Sequence, residues 1–318
     1  MATGTTADLG ERQIRGMFFE ALNGSRSLEW VNKIANQFTS DQAIETYKWL
    51  SQSPVLREWV SGRRAKAFTT NGITIENLEF EATIGIKDKD MRRDKTGQIK
   101  MRMRDLVKRS RTHWASLLST LIMNGETLLG YDGKAFFATD HSEGQSGTFS
   151  NLLTSSDYSE FNVATATNPT ANEMADVIMK GIQHLYSFKD DQGEPRNEDN
   201  VEFLVMVPNN MWGATSTAAK KNMLTAAAGS RDNPLVDQDF KVSVVSNSRL
   251  TWTDKLAIFV ADSEAKPFIA QSETDINPEI LGPGSDHFFK EKEWLIGIDC
   301  NRNVGLGLHS KGVKITLS

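Results

Sequence analysis

The residues that could carry out chemistry are few and scattered along the chain. Asp140 and His141 are adjacent, and a carboxylate beside an imidazole can act as a general base or hold a metal ion. The pair stands in a polar loop, and the five histidines show none of the spacings typical of metal sites. The sequence therefore predicts no metal ligand and no catalytic residue at this position.

Other signatures of enzymes are equally weak. The stretch GLGLHSKG, Gly305 to Gly312, has neither the Walker spacing nor the dinucleotide fingerprint, and its glycines are better explained by close strand packing. Cys300 is the single cysteine and stands in an alternating apolar stretch, which favours a packed thiol over a nucleophile. No nucleophile-elbow motif occurs. These observations predict a protein that is not an enzyme and needs no cofactor.

Positive charge is concentrated in one segment. Between Lys87 and Arg111, eleven Lys or Arg stand against four Asp, a net +7, although the formal net charge of the chain is -5. The excess could neutralise nucleic-acid phosphates, or it could form a solvated helix face that pairs with acidic residues. The candidates for pairing with the acids of a neighbouring molecule, or for facing DNA, are Arg92, Arg93, Lys100, Arg102 and Arg104.

Composition indicates an ordered globular protein. The chain has 318 residues, of which 39% are hydrophobic and 24% charged. No apolar run approaches the roughly 20 residues that cross a bilayer, and the first residues lack the apolar segment of a secretory signal. We therefore predict a cytosolic protein without membrane contact.

The N-terminal third predicts an extended arm followed by a long ribbon. Residues 1–60 carry many aromatics and only short helical spacing, so a neighbouring molecule is as plausible a host for these side chains as the chain itself. Asn71-Gly72 predicts a tight hairpin turn, and apolar alternation resumes from Leu78 to Ile86 after a slip that indicates a bulge. A two-stranded ribbon is marginal alone in water, so it must lie on another surface.

The remaining pattern predicts a long helix followed by an α/β region. Apolar residues recur at helical spacing from Thr96 to Asn124, which corresponds to a helix about 40 Å long. Thr170 is an N-cap candidate for a second helix. The stretch NNMWGATSTAAKKNMLTAAA predicts another helix, and VEFLVMVP, FKVSVVSN, KLAIFVA and the C-terminal residues predict strands.

Three stretches resemble the major head subunits of Mu-like tailed bacteriophages, which have the Hong Kong 97 capsid fold. They are YKWLSQSPVLREWVSGRR, the following FTTNGITIENLEFEATIGIKDKDMRRD, and YDGKAFFATDH. The resemblance implies an α+β fold with an N-terminal arm (1–60), an extended-loop β-hairpin (61–95), a peripheral domain with a long spine helix (96–155), an α/β axial domain (156–285) and C-terminal strands that return to the core (286–318).

The resemblance also implies a function and partners. The expected protein is a structural major capsid protein that assembles with itself into pentamers and hexamers of an icosahedral head shell around double-stranded DNA. Portal, scaffolding or protease, and decoration proteins would be separate chains, and the protein would reside in the virion after assembly in the host bacterial cytoplasm. The predicted intersubunit contact residues are Trp49, Leu56, Trp59, Phe68, Ile73, Ile75 and Phe80.

This interpretation requires the ribbon and the arm to be buried against sister molecules rather than against their own chain. Three alternatives stay open from the sequence. They are an encapsulin-like nanocompartment shell with the same fold, an enzyme with an unfamiliar site, and a DNA-binding accessory protein whose affinity would fall steeply with salt.

Overall fold

The structure is a computed structural model of the single chain. It describes residues 12, 14–16, 18–20, 29–50, 70–93, 97–226, 229–236 and 238–318, and for 48–50, 70, 71, 225 and 226 the backbone alone. Among the described residues, none of the helices combines the length and the apolar composition that crossing a bilayer requires.

The helices and strands are numbered in chain order. The helices are α1 (Glu29–Ile34), α2 (Asp88–Arg93), α3 (Gln98–Met123), α4 (Ala171–Tyr186), α5 (Trp212–Lys220) and α6 (Asp286–Glu291). The strands are β1 (Ala35–Thr39), β2 (Ile44–Leu50), β3 (Thr70–Glu76), β4 (Leu78–Lys87), β5 (His141–Ser142), β6 (Thr148–Phe149), β7 (Leu152–Leu153), β8 (Glu202–Val207), β9 (Met223–Ala226), β10 (Gly229–Asp232), β11 (Lys241–Ser246), β12 (Lys255–Val260), β13 (Phe268–Ser272), β14 (Asn277–Leu281), β15 (Glu293–Leu306) and β16 (Gly312–Thr316).

The first sheet is built around β15. Its order is β1-β13-β15-β14, and β4 pairs with β15 in addition. β4 and β14 both pair with Leu295 to Asp299 of β15. Because one edge of a strand can pair with only one neighbour at a given residue, β4 and β14 lie on opposite edges of β15. β1 adds a parallel strand beside β13, so the chain after α1 is part of this sheet.

The second sheet has the order β11-β8-β12-β16-β7. Its β8 and β12 are buried along most of their length, which explains their nearly continuous apolar sequences. α4 packs on this sheet, and Gly181 of α4 lies so close to Ile258 that an added Cβ would be 2.6 Å from its Cδ1. The Thr170 side chain caps α4, as the sequence predicts, and it forms a capping box with Glu173.

The long helix α3 joins the two sheets. It has 26 residues, which corresponds to about 39 Å at 1.5 Å per residue, and it confirms the predicted helix within two residues at either end. Its first half packs Met103 and Val107 against Trp294 of β15. Its second half packs Leu118 and Ile122 into a core that also contains buried side chains from one face of the second sheet.

The predicted turn at Asn71-Gly72 is wrong. Both residues lie inside β3, where they pair with Trp49 and Lys48 of β2. The hairpin partner of β3 is therefore the upstream strand β2. A full ladder with β2 gives the backbone N–H and C=O groups of β3 hydrogen-bond partners, whereas a two-residue turn would leave some of them unpaired at the strand ends. The predicted interruption near Glu76 is present, since Asn77 separates β3 from β4.

The prediction that the ribbon and the arm find no partner in their own chain is wrong for the described residues. β4 pairs along its whole length with residues Glu293 to Arg302 of β15. Ile84 and Ile86 of β4 pack beside Phe18 of the first helical residues, and Phe18 is fully buried. Burial within the chain avoids exposing the apolar face that β4 carries at every second residue.

Two shorter predictions also need correction. Residues 223–226 form a strand rather than the end of a helix, because Leu224 is buried and β9 pairs with β10. The short helical spacing within residues 1–60 corresponds to a helix only as far as Ile34, where α1 ends, and Phe38 lies in β1. In both places tertiary pairing overrides local helical preference.

Hydrogen exchange tests the pairing of β4. In unassembled subunits we expect peptides within 78–87 to keep about half of their amides protected, as an antiparallel edge strand does. The central strand β12 serves as the fully protected reference. Exchange of β4 within seconds, while β12 stays protected, would show that β4 is free before assembly.

Candidate functional site

The structure separates the predicted intersubunit contact residues into four groups. Leu56, Trp59 and Phe68 lie outside the described residues, and for Trp49 only the backbone position in β2 is described. Ile73 and Phe80 are half-buried. Ile75 is buried in its own chain, with 3% of its surface exposed.

Ile75 fixes β3 on the first sheet. The side chain lies over Gly305 of β15, where an added Cβ would be 2.2 Å from the Ile75 Cδ1 and 2.7 Å from its Cγ1. Glycine at position 305 is therefore required for the close approach of β3 to β15. Ile75 belongs to the core of its own subunit, which leaves little of its surface for a neighbour.

Phe80 lies at a cavity between α3 and the first sheet. The cavity has a volume of about 190 Å³, and its apolar lining includes Phe80, Leu106, Ile298 and Cys300. The ring of His113 lies edge-on to Phe80, with 4.4 Å between ring centroids. Burial of the His113 imidazole, together with the positive charges of Arg302 and Arg249, lowers its pKa to about 4. Cys300 is buried, as the sequence predicts for a packed thiol.

The basic candidates mostly have acidic partners within the chain. Arg92 pairs with Asp88 one turn earlier in α2. Lys100 and Arg104 of α3 both reach Glu20, at 3.0 Å and 3.4 Å. The hydrogen bond from Lys100 lowers the pKa of the Glu20 carboxyl. These pairs agree with a solvated, ion-paired helix face.

The other two basic candidates are exposed. Arg93 lies on α2 and Arg102 on α3. Exposed guanidinium groups are suited to phosphate or carboxylate recognition.

A cluster of polar side chains that the sequence did not predict lies between the two sheets. This polar junction comprises Tyr131, Asp132, His141, Glu143, Arg196 and His309. The imidazole rings of His141 and His309 stack with 3.9 Å between centroids and 7° between planes. His141 is completely buried and His309 is 1% exposed.

Hydrogen bonds and ion pairs connect the polar junction. The Nδ1 of His141 lies 2.6 Å from Asp132 Oδ2. Arg196 donates to Glu143 Oε2 at 2.9 Å, and the hydroxyl of Tyr131 donates to Glu143 Oε1. A partly buried carboxylate is thus paired with a buried guanidinium, as burial of charge requires.

Two turns of the same construction hold the polar junction. In the turn after α3, Gly130 N donates to Lys134 O at 2.7 Å, and in the turn after α4, Asp190 N donates to Glu194 O at 2.8 Å. Each turn contains a glycine in the left-handed region, Gly133 at φ 76° and Gly193 at φ 89°. The first turn carries Tyr131 and Asp132, and the second leads directly to Arg196.

Two buried asparagines hold the C-terminal side of the polar junction. Asn151 Nδ2 donates to the carbonyl oxygens of Phe136 and His309, at 2.7 Å and 3.0 Å. Asn197 Nδ2 donates to the Ser310 oxygen at 3.0 Å. These bonds place the short helix at 309–311 against both turns, and they explain why His309 is fixed in the interior.

Burial and neighbouring charge set the protonation of this cluster. Burial lowers the pKa of His309 to about 3, and nearby His141 and Arg196 act in the same direction. The His309 imidazole is therefore neutral at pH 7. Burial raises the pKa of Asp132, but the hydrogen bond with His141 and the other local interactions outweigh it and leave the pKa below its usual value.

Neighbours in sequence are not neighbours in this cluster. Asp140, which adjoins His141 in the chain, pairs with Lys134, whereas His141 pairs with Asp132. His309 is supplied by a segment near the C-terminus. The YDG stretch was the available signal, because the turn that contains its glycine carries Asp132.

Comparison with known proteins identifies the family. A profile of the family described as "Mu-like prophage major head subunit gpT" matches residues 11–171, about half of the chain. The chain belongs to this family of major head subunits. The matched range includes β3, β4, α3 and the first turn of the polar junction.

Two curated relatives support the assignment. The chain is 33% identical over 110 residues to the major capsid protein of Escherichia phage Mu. It is 30% identical over 112 residues to the Mu-like prophage FluMu major head subunit of Haemophilus influenzae. Each match covers 35% of this chain and 36% of the relative, so the chain spans little more than a third of these relatives in sequence.

Solved structures confirm the predicted capsid fold. A chain of the procapsid of bacteriophage JBD30 has a TM-score of 0.55 and 20% identity, with 97% of this chain and 74% of that chain covered. The virus-like particle of Pyrococcus furiosus has a TM-score of 0.53 and 9% identity, with 96% and 98% covered. The head subunit therefore has the mixed α and β Hong Kong 97-like fold.

A double-mutant cycle tests the contact between Ile75 and Gly305. We expect Gly305→Ala to lower the free energy of unfolding by about 1–3 kcal/mol, because the new methyl group collides with Ile75. In an Ile75→Ala background the same change should cost close to nothing, since the remaining Cβ is 3.9 Å away. Urea denaturation measures both. Gly213→Ala is the control, because no atom lies within 4 Å of the added Cβ. Equal costs of Gly305→Ala in the two backgrounds would contradict the contact.

The lowered pKa of His113 predicts a dependence of stability on pH. The unfolded chain takes up a proton at this residue below about pH 6.5, whereas the folded chain does so only near pH 4. Stability is therefore lost as the pH falls from 6.5 towards 4. We expect His113→Gln, which cannot be protonated, to lose less stability over this range than the wild type in urea denaturation at several pH values. Parallel curves for the two proteins would refute the assignment.

Proposed function

We propose that this head subunit is the major capsid protein of a tailed bacteriophage, assembling into pentamers and hexamers of an icosahedral shell. The observation that carries the proposal is the match of residues 11–171 to the major head subunit family. A capsid-like fold that extends over 97% of the chain supports it. The shell would enclose double-stranded DNA and form in the host bacterial cytoplasm.

Exposed apolar side chains support self-assembly. Among the described residues, Phe289 is 78% exposed, Leu129 67% and Met101 65%. Large apolar side chains at these exposures are suited to contacts between copies, and a shell subunit needs several separate contact surfaces. The area buried between copies does not by itself make a shell stable, because ordering the side chains at each contact costs conformational entropy.

The family resemblance also supports the remaining partners. Portal, scaffolding or protease, and decoration proteins would be separate chains, and the subunit itself would act as a structural protein without catalysis. Contact with packaged DNA would be non-specific and would use exposed cations such as Arg93 and Arg102. Arg92, Lys100 and Arg104 contribute less, because acidic side chains of the same chain already pair with them.

The first experiment is electron microscopy of the purified protein expressed alone and with its neighbouring head genes. Closed shells or free pentamers and hexamers support the proposal. A protein that stays monomeric under both conditions contradicts it. The similarity in fold to the virus-like particle of Pyrococcus furiosus supports an encapsulin-like nanocompartment as the alternative. Such a shell would enclose protein cargo rather than DNA.

A triple substitution tests the predicted contact residues that the structure does not describe. We expect Leu56→Ser, Trp59→Ser and Phe68→Ser together to leave soluble folded subunits that no longer close into shells, because the apolar anchors of the intersubunit contact are lost. Shells are counted by electron microscopy, and folding is checked by circular dichroism.

Substitutions are preferable here to a deletion of residues 65–78, because that deletion would also remove β3 from its ladder with β2. Val201→Ser is a control for the general effect of lowering surface hydrophobicity, because Val201 is 47% exposed and is not one of the proposed contact residues. Shells of normal size and number from the triple variant would remove these three residues from the proposed interface.

A further inference from the structure

The polar junction contains imidazole nitrogens that have no hydrogen-bond partner among the described residues. They are Nε2 of His141 and both ring nitrogens of His309. The side chains of both residues are completely or almost completely buried. Buried polar atoms of native proteins nearly always have a partner, and a neutral imidazole has one lone-pair nitrogen and one N–H, so these orphaned nitrogens indicate a ligand that accepts one lone pair from each ring.

The donor atoms around these nitrogens are close enough to share one ion. One ligand atom each from Asp132, His141 and His309 lie within 4.8 Å of one another. Asp132 Oδ2 is 2.6 Å from His141 Nδ1 and 3.9 Å from His309 Nδ1. In a tetrahedral site with metal bonds of about 2.0–2.1 Å, donor atoms lie about 3.3 Å apart, which falls between these two distances.

We propose that Asp132, His141 and His309 form a binding site for a divalent transition-metal ion, with Zn²⁺ as the best fit. Two imidazoles and one carboxylate are a donor set that Zn²⁺ uses with a fourth position for water. Ca²⁺ and Mg²⁺ prefer oxygen donors throughout, so they match this site poorly. The site goes beyond the proposed shell function and does not depend on it.

Ligation through His141 Nδ1 requires its 2.6 Å contact with Asp132 Oδ2 to open towards about 3.3 Å, with the N–H of His141 on Nε2, and it requires the ring of His309 to tilt. The two imidazole planes are nearly parallel, whereas a metal ion lies close to the plane of each ring that binds it. The His309 ring must therefore tilt so that its Nδ1 turns towards Asp132 Oδ2. The backbone of His309 can stay in place during this tilt, because Asn151 holds its carbonyl oxygen.

The surroundings supply the outer partners that metal-binding residues use. Asp132 Oδ1 accepts a hydrogen bond from the Lys134 backbone at 3.1 Å, which orients the carboxylate. His309 Nε2 lies 3.7 Å from Glu143 Oε1, and Arg196 fixes Glu143 from the other side. A carboxylate behind a metal-binding imidazole sets its tautomer and raises its basicity, and Glu143 is placed for this role.

The physical consequence is a cross-link between distant parts of the chain. Asp132 belongs to the turn after α3, His141 to β5, and His309 to the segment between β15 and β16. An ion bound to all three joins these parts in the folded state alone. Since the unfolded chain cannot offer the same site, binding stabilises the fold by mass action.

The test is a titration of the full-length chain with ZnCl₂ after treatment with a chelator and removal of the chelator. We expect one Zn²⁺ per chain by isothermal titration calorimetry and a rise in the melting temperature. Asp132→Asn and His309→Gln should abolish both effects, and Glu143→Gln should weaken binding about 10- to 100-fold. His287→Gln is the matched control, because His287 also lies near a carboxylate, 3.4 Å from Glu293, but outside the polar junction.

A spectroscopic measurement on the wild type covers the case in which a variant fails to fold. With Co²⁺ in place of Zn²⁺, visible absorption and X-ray absorption should report four or five nitrogen and oxygen ligands that include two imidazoles. Absence of saturable binding at micromolar Zn²⁺ overturns the proposal. So does unchanged affinity in Asp132→Asn and His309→Gln, or a Co²⁺ spectrum with fewer than two imidazoles.

Discussion

The ladder around β15 is the constraint on which the rest of the subunit depends. This strand of 14 residues pairs with β4 on one edge and with β14 and β13 on the other. Every second residue from Trp294 to Arg302 is buried, and α3 covers this face. Because side chains alternate strictly, a shift of β15 by one residue would expose the whole apolar row, so the register of three other strands follows from this one.

The same strand leads to the joint between the two sheets. After β15 the chain passes through the short helix at 309–311 and enters β16 of the second sheet. The equivalent turns after α3 and α4 meet at this crossing, and one buried asparagine follows each of them. Backbone groups at the crossing have no sheet partner, and the amides of Asn151 and Asn197 satisfy them. The polar junction therefore occupies the place where the fold changes from one sheet to the other.

The sequence could predict what depends on local periodicity. The apolar spacing of α3 and the N-cap at Thr170 arise within a few residues, and the structure reproduces both. Asn71-Gly72 shows the limit of prediction from local sequence. The preference of these two residues for a turn contributes less to stability than the hydrogen bonds that they form in the ladder with β2. The polar junction could not be predicted, since nothing in the spacing of Asp132 and His309 indicates that β15 and the two turns bring them together.

Burial within the chain also limits where a neighbouring copy can bind. Apolar surface gives stabilisation only when it is removed from water. Side chains such as Ile75 and Phe18 are already buried by folding, so they cannot also drive assembly. On the proposed function, contacts between copies must use surface that remains after folding, of which Phe289 and Leu129 are examples. The strand β4 has one edge occupied by β15, so a neighbour can approach it only by its second edge or its outer face. On the proposed function, the assembly surfaces among the described residues are therefore additional to the core rather than part of it.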